Sequence, residues 1–343
     1  MTRPKATRKS TAVRADRLQW FGWTDIGRVR KNNEDAFLGL RFDAHDVHRL
    51  GRIGEASLAG HDYTFAVCDG MGGAKAGEYA SEIAVEKITT LLPRAYQNGS
   101  RRLDDRFAGA LEELYAQVHR ALAYLGRSYD ECHGMQTTMS LCWFTPERMY
   151  FGHVGDTRIY HLRAATGEFR QLTADDTHVG WLFRNGQLTD YEARTHPRRN
   201  VLQKALGGEN QFVNPQVGSA VFERGDIFLL GSDGLSEGLF EHHILEVLRV
   251  RQAGFNPAKT LVEAAVKADG RDNTTALVVQ VAYAVRRPAL ADNGMLWRDG
   301  IAEQKNGGQL SLPAVVNPAR LEVNRSGVTR GNRVRRVRIR RDR

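Results

Sequence analysis

Short stretches of alternating or continuous apolar residues dominate this chain, and helical periodicity is rarer. Nine runs of five to nine residues, rich in β-branched, aromatic and aliphatic side chains, predict β-strands. The predicted strands span residues 17–24, 36–40, 63–68, 137–144, 149–154, 158–162, 216–222, 226–230 and 274–282. Several are joined by short turns that contain Gly or Pro, which favours antiparallel neighbours over parallel units.

Helical periodicity is found in four segments. Apolar residues recur at three-four spacing along 78–92 and 103–125, as in a helix that buries one face. Shorter helices fit 241–251 and 257–268, the second of which begins at Pro257. Strand meanders combined with outer helices predict an α+β fold built as a layered sandwich.

The pattern divides the chain into a basic N-terminal arm (1–17), a body (18–285) and a C-terminal tail (286–343). Within the body, residues 174–200 are polar and weakly periodic, and they predict a surface insertion with one short helix at 190–195. The tail contains Gly, Asn, Pro and Arg without strand or helix periodicity. We expect both the arm and most of the tail to be disordered.

Charge is unevenly distributed between these parts. Of the net charge of +9, the arm holds +5 and the tail +9, which leaves −5 for the body. An acidic body does not fit nucleic-acid binding as the main role, because such proteins spread basic residues over the folded domain. The tail itself fits a solvated end, a contact with an anionic membrane or nucleic acid, or docking onto the acidic body.

Cysteine usage and hydropathy bear on the compartment. The three cysteines, Cys68, Cys132 and Cys142, have no paired spacing, which favours reduced thiols. Residues 1–17 include no apolar signal-peptide core, and the longest apolar run, 276–285, is too short to span a bilayer. We expect a soluble, cytoplasmic protein without a transmembrane segment.

Acidic residues stand at the boundaries of five predicted strands. These positions are Glu34-Asp35, Asp69-Gly70, Gly155-Asp156, Asp233-Gly234 and Asp272-Asn273. We place Asp156 in the corner of a hairpin. In antiparallel sheets the end of one strand lies beside the start of the next, so these acids can converge on one edge. Carboxylate oxygens are the usual ligands of Mg²⁺ and Mn²⁺, and two or three such ions would neutralise the mutual repulsion.

These motifs, in this order, resemble those of the metal-dependent protein phosphatases, the PPM or protein phosphatase 2C family. The resemblance covers roughly residues 18–284, and Met-Gly-Gly after Asp69-Gly70 is similar to the bacterial branch. The motifs are Thr24-Asp25-x-Gly27-x-x-Arg30-x-x-Asn33-Glu34-Asp35, Asp69-Gly70-Met71-Gly72-Gly73, Gly155-Asp156-Thr157-Arg158, Ser232-Asp233-Gly234-Leu235 and Asp272-Asn273-Thr274-Thr275. One Asp-Gly pair alone would signify only a turn.

The resemblance implies an αββα sandwich of two antiparallel sheets, with 174–200 as a flap beside the active site. It also implies a Mn²⁺- or Mg²⁺-dependent serine/threonine phosphatase that uses a hydroxide bridging two metal ions, with two or three ions in all. Its substrates would be proteins that a bacterial Ser/Thr kinase has phosphorylated.

Residue roles follow from the same resemblance. Asp69 would bridge the two metals, with Asp233 and Asp272 on the first. The Gly70 carbonyl and, through water, Glu34 would serve the second. The remaining implied roles are phosphate binding by Arg30, a water network held by Asp35, and a third-metal site at Asp156 with Asp233.

The sequence also departs from the family pattern. Met71 stands where many relatives have a His proposed as proton donor, so we expect a metal-bound water to serve instead. Asp176 and Lys204 fall in two further altered motifs that flank the flap. His153, close to Asp156, is expected to be a sheet residue. The alternative function is a non-catalytic phosphoprotein-binding module on the same fold, which the loss of one or more acids would mark.

Overall fold

Two antiparallel sheets face each other across a shared apolar core. The computed structural model describes residues 17–43, 45–72, 75–97, 103–208 and 213–282, all of which belong to the unit Met1–Arg286. The predictions made for residues 1–16 and for the tail 286–343 lie outside the described residues.

Fourteen strands are found in the described residues, and the nine predicted ones are among them. The strands are β1 (Arg17–Asp25), β2 (Asp35–Phe42), β3 (Val47–Arg49), β4 (Ile53–Ser57), β5 (Asp62–Met71), β6 (Gln136–Thr137), β7 (Met139–Phe144), β8 (Met149–Val154), β9 (Arg158–Leu162), β10 (Phe169–Gln171), β11 (Leu206–Gly207), β12 (Gln216–Ala220), β13 (Ile227–Gly231) and β14 (Thr274–Ala282).

The strands form one sheet of six and one of eight. The first sheet has the order β10-β9-β13-β14-β1-β4. The second has the order β11-β6-β5-β7-β8-β12, and β2 pairs with both β5 and β3. All named pairings between strands are antiparallel, as the short turns predict.

Seven α-helices are described. They are α1 (Ala76–Gln97), α2 (Leu103–Ser128), α3 (His178–Arg184), α4 (Asp190–Thr195), α5 (Asp233–Gly238), α6 (Glu241–Leu248) and α7 (Pro257–Ala268). Helices α1 and α2 cover the outer face of the eight-stranded sheet, while α5, α6 and α7 cover the six-stranded sheet. None of the helices in the described ranges is both long and apolar enough to cross a membrane.

Three apolar clusters fill the spaces between these layers. The central cluster lies between the sheets and includes Trp20, Phe65, Phe144 and Phe228, all nearly or fully buried. The other two clusters join each sheet to its own helices. The order helix, sheet, sheet, helix confirms the expected αββα sandwich.

The flap is more helical than its sequence suggests. Besides the expected helix at 190–195, it contains α3, which follows directly on Thr177. The Thr177 side chain accepts a hydrogen bond from the backbone N–H of Gly180, which satisfies a donor at the start of this short helix. Gly180 makes this helix hard to predict from the sequence, because glycine disfavours helix interiors.

The link between β8 and β9 is not the predicted hairpin corner. Strand β8 belongs to the eight-stranded sheet and β9 to the six-stranded sheet, so Gly155-Asp156-Thr157 crosses from one sheet to the other. Gly155 has φ +112°, a conformation that residues with side chains rarely adopt. The crossing moves Asp156 into the space between the sheet edges.

The protonation of Asp62, at the start of β5, should affect the stability of the fold. Its carboxylate accepts a hydrogen bond from Trp143 Nε1 at 2.8 Å, and burial raises its pKa to about 7. Between pH 4 and 7 the folded protein keeps a proton that the unfolded chain has lost, so the free energy of unfolding falls as the pH rises. We expect Asp62→Asn to be more stable than the wild type at pH 8, by at most about 4 kcal/mol.

Urea unfolding at pH 5 and pH 8 measures this difference. Asp62→Ala is the control, because it removes the same charge but leaves the buried Trp143 N–H without its acceptor, so it should be less stable than Asp62→Asn at both pH values. A stability difference between Asp62→Asn and the wild type that does not change with pH would contradict the assignment.

Candidate metal centre

The acidic residues meet where both sheets end on the same side of the sandwich. In the eight-stranded sheet, Asp35 at the start of β2 pairs directly with Asp69 near the end of β5. In the six-stranded sheet, β13 ends beside the start of β14. Asp233 follows β13 and Asp272 precedes β14, so each sheet brings two acids to this edge.

Asp69 lies at the centre of this group. It is half-buried, and the charges of Asp35, Asp233, Asp156 and Asp272 all act on it. Burial and this repulsion raise the pKa of Asp69 and of Asp233 well above the usual range of an aspartate. The five aspartates of the sequence prediction thus share one site.

Burial also raises the pKa of two neighbours, Asp35 and Asp156. Asp35 Oδ2 accepts a hydrogen bond from Ser232 Oγ at 2.7 Å, which joins the two sheets across the site. Asp35 has no positive group among its strongest interactions, whereas the charge of Arg158 partly offsets the raised pKa of Asp156.

Arg30 supplies positive charge at the mouth of the site. Its Nη2 donates to Asp272 Oδ2 at 2.7 Å, and its Nη1 lies 3.9 Å from Glu34 Oε2. The side chain is about half exposed, at 48%. A guanidinium so placed contacts the acid cluster on one side and solvent on the other.

The Glu34–Gly70 region brings two backbone segments together. Gly70 N donates to the Glu34 carbonyl at 3.1 Å. A Cβ at Gly70 would overlap the carbonyl oxygen of Gly77 at the start of α1, so the close approach requires a glycine. The Gly70 carbonyl and the Glu34 side chain consequently lie at the same corner of the site, where Gly77 packs against both.

Asn273 fastens the loop that presents Arg30 and Glu34. Its Oδ1 accepts from Glu34 N at 2.8 Å, and its Nδ2 donates to the carbonyls of Ile26 and Asn32 at 2.9 and 3.0 Å. The residue is buried. Asn273 therefore orders this loop by hydrogen bonding.

We expect Asn273→Ala to reduce both stability and activity. Three lost hydrogen bonds of about 1 kcal/mol each should lower the free energy of unfolding by about 3 kcal/mol. Without them the loop no longer fixes Arg30 and Glu34, so kcat/KM should fall about tenfold.

The control is Asn256→Ala, which removes the residue that caps α7 by accepting from Lys259 N at 3.0 Å. It should lose about 1 kcal/mol of stability and keep full activity per folded molecule. Equal activity of the two variants would show that Asn273 has a structural role only.

The turn that bears Asp156 is fixed by residues outside the five acidic motifs. Gly155 N donates to Asp176 Oδ2 at 3.2 Å, and Asp176 N donates to the Gly155 carbonyl at 2.7 Å. His153 Nε2 donates to the same carbonyl at 3.0 Å, which leaves Nδ1 to accept from Ser140 Oγ at 2.8 Å. His153 is therefore the buried sheet residue that the sequence suggests, and burial lowers its pKa.

The two altered motifs at the flap meet each other. Lys204 Nζ lies 3.1 Å from Asp176 Oδ1, and Gln203 N donates to the Asp176 carbonyl at 2.7 Å. Both ends of the flap are thereby joined to the Gly155–Asp156 turn.

The oxygen donors of the site fit a divalent cation. Asp233 Oδ1 is buried and has no hydrogen-bond partner among the described residues. Hard oxygen donors and excess negative charge suit Mg²⁺ or Mn²⁺. Within the described ranges, however, no three His, Cys, Asp or Glu side chains are grouped so as to hold an ion by themselves. A bound ion would need backbone or water oxygens as well, which is usual for Mg²⁺.

Comparison with known proteins gives a consistent result. A family model for "Protein phosphatase 2C" matches residues 52–268, well over half of the chain. The chain belongs to the protein phosphatase 2C family. Protein phosphatase PhpP of Streptococcus pneumoniae is 32% identical over 259 residues, which cover 75% of this chain and 95% of PhpP.

Solved structures of this family share the fold. The crystal structure of the Mycobacterium tuberculosis serine/threonine phosphatase PstP/Ppp is 30% identical, with a TM-score of 0.63, and the match covers 78% of this chain and 100% of that one. A structure of the PstP catalytic domain in complex with two manganese ions is 29% identical, with a TM-score of 0.61; the match covers 78% and 99% of the two chains.

Sequence reasoning did not find every residue that shapes this phosphatase 2C site. Ser232 and Asp176 were missed as partners of Asp35 and of the Asp156 turn. Ser232 has a detectable signal, since it directly precedes Asp233 in the motif. Asp176 has none, because its partners lie more than twenty residues away along the chain.

Proposed function

We infer that this chain is a metal-dependent protein serine/threonine phosphatase that hydrolyses phosphoserine and phosphothreonine in proteins. Membership of the protein phosphatase 2C family and its serine/threonine phosphatase relatives support this. The observation that most supports catalysis is Asp69, half-buried and close to four further aspartates at one sheet edge with Arg30 beside them. A binding module would need no such concentration of unpaired charge, and nothing favours that alternative.

We propose that Asp69 bridges two cations, with Asp233 and Asp272 holding the first. The Gly70 carbonyl and, through water, Glu34 would serve the second. Asp156 with Asp233 would hold a third ion. When bound, such ions lower the pKa of water and neutralise charge during displacement at phosphorus. We expect Mn²⁺ or Mg²⁺, with Mn²⁺ favoured by the manganese complex of PstP.

The chain's own residues then bind and orient the substrate. Arg30 presents a planar fork whose two N–H groups match two phosphate oxygens. A cation that binds Asp272 would compete for the carboxylate that now engages Arg30, and the guanidinium would turn to the phosphate. Asp35, held by Ser232 Oγ at 2.7 Å, would orient water. Met71 has no proton to donate, so the leaving oxygen takes its proton from water.

The wider setting stays a prediction. We propose that the substrates are made by a bacterial Ser/Thr kinase, that the protein acts in the cytoplasm, and that the basic tail contacts an anionic partner. The kinase follows from the similarity to bacterial phosphatases, and the compartment and the tail contact follow from the composition and charge of the sequence.

Hydrolysis of p-nitrophenyl phosphate and of a phosphothreonine peptide tests the proposed function. We expect Mn²⁺ or Mg²⁺ to raise both rates at least about a hundredfold over the rate in EDTA, because bound metal supplies both activated water and charge neutralisation. An equal rate in EDTA and in Mn²⁺ would contradict metal dependence. Hydrolysis of the small ester without the peptide would contradict protein substrates.

A further inference from the structure

A large cleft opens beside the acid cluster. Its volume is about 940 Å³, and Asp156 and Asp233 form part of its lining. The flap helices α3 and α4 line one side, and the α5–α6 region lines another. This volume lies near the upper end of the range for ligand pockets. A phosphate ester as small as p-nitrophenyl phosphate would leave much of it unfilled.

Two phenyl rings expose apolar surface in this cleft. Phe183, from α3, is 45% exposed, and Phe240, at the start of α6, is 46% exposed. The Arg194 guanidinium lies 4.4 Å from the centroid of the Phe240 ring and donates to the Ser236 carbonyl at 2.9 Å. Phe240 is therefore held in place before any ligand arrives, which reduces the entropy lost on binding.

Most guanidiniums of the cleft are already engaged by carboxylates. Three of the five guanidiniums in the lining each pair with a carboxylate that also belongs to the lining; Arg184 donates to the Asp175 carbonyl, and Arg271 pairs with Asp269 outside the lining. The pairs are Arg158–Asp175 at 2.6 Å, Arg199–Glu237 at 3.0 Å and Arg194–Asp190 at 3.3 Å. A charged ligand residue would have to compete with these pairs, whereas an apolar one gains by covering the exposed rings.

On the basis of the proposed phosphatase function, we propose that this cleft binds apolar residues that flank the phosphorylated residue of a substrate protein. Asp156 and Asp233 belong to the lining of the cleft, so the chain on one side of a phosphoresidue at the metal centre can extend along it. Contacts with remote parts of a substrate can raise the rate as well as the affinity. The cleft therefore selects among phosphoproteins by the hydrophobicity of the flanking sequence.

Three phosphothreonine peptides that differ only in their flanking residues, Leu, Ser or Glu, test this proposal. We expect the wild type to show a kcat/KM about tenfold higher for the Leu peptide than for the Ser peptide, the factor that corresponds to a modest apolar contact. The Glu peptide should be no better than the Ser peptide. Equal rates for all three, or a preference for Glu, would overturn the proposal.

The Phe183→Ala variant tests whether the preference for the Leu peptide arises in the cleft. In this variant, kcat/KM for the Leu peptide should be close to kcat/KM for the Ser peptide. Each peptide value is first divided by the rate of the same variant on p-nitrophenyl phosphate. Trp181→Ala is the matched control, because Trp181 lies on the same helix and is also 45% exposed but is not part of the cleft lining. It should keep the wild-type ratio.

The outcomes separate the proposal from the function on which it rests. A Phe183→Ala variant that keeps the tenfold ratio would overturn the proposal and leave the phosphatase function standing. A wild-type protein that hydrolyses none of the substrates, p-nitrophenyl phosphate included, would overturn both.

Discussion

Replacing Asp69 by Asn lowers kcat at least about a thousandfold and, in EDTA, raises the thermal stability of the protein. Activity should fall because Asp69 interacts with every other aspartate of the site, so in the proposed arrangement a cation pair would lose the ligand that it shares. Stability rises because the neutral amide removes a half-buried charge that four neighbours repel. We expect an increase of about 4 °C in the unfolding midpoint in EDTA.

Thermal unfolding with and without Mn²⁺ separates the two effects. Mn²⁺ should raise the midpoint of the wild type, since a ligand that binds only the folded state stabilises it. The same concentration should leave Asp69→Asn almost unchanged. The matched control is Asp62→Asn, a buried aspartate at the opposite end of β5, which should stabilise the protein and retain full activity. A variant at position 69 that still responds to Mn²⁺ would contradict the bridging role.

The second large effect is expected for Arg30→Ala, which lowers kcat/KM about a hundredfold. The variant loses a charge-assisted pair of hydrogen bonds to the substrate phosphate, each of about 1.5 kcal/mol. Arg30→Lys should recover little, because an ammonium cannot reproduce the fork. Initial rates over a range of peptide concentrations measure the change, and we expect KM to rise as well as kcat to fall.

Lys31→Ala is the control for charge in the same loop. Lys31 is exposed and adjacent to Arg30 in the sequence, so its removal lowers the local positive charge by the same amount. Its activity should stay within about twofold of the wild type, as expected for a screened surface charge. A comparable loss in both variants would indicate that general attraction of the anion, and not a specific contact, explains the effect.

The long strands could be predicted from the sequence because their burial alternates or is continuous over five or more residues. Strand β5, buried along most of its length, and β14 are examples. The short strands β3 and β10 could not be predicted, since each has only three residues. These residues are largely or partly exposed and leave no pattern. Their place is decided by pairing with β2 and β9, which is a tertiary effect.

The incorrect prediction of a hairpin at Asp156 has a related cause. A short turn containing Gly has the same sequence signature whether the next strand stays in the sheet or crosses to the other one. Here the crossing is held by Asp176 and His153, which contact the Gly155 peptide group. The first of these contacts spans 21 residues of chain and cannot be read from local pattern.

The acids of the site were predictable because each stands at a strand boundary, and antiparallel pairing brings such boundaries together. The residues that hold these acids in place were harder to predict. Ser232 contacts Asp35 across 197 residues, and Asn273 contacts Glu34 across 239. Only the folded sandwich relates such distant positions.

Anomalous diffraction from crystals grown in Mn²⁺ tests the central claim most directly. The account predicts at least two manganese peaks, both within coordination distance of Asp69, with Asp233 and Asp272 on one of them. A map in which Asp69 contacts no manganese, at an ion concentration that supports full activity, would contradict it.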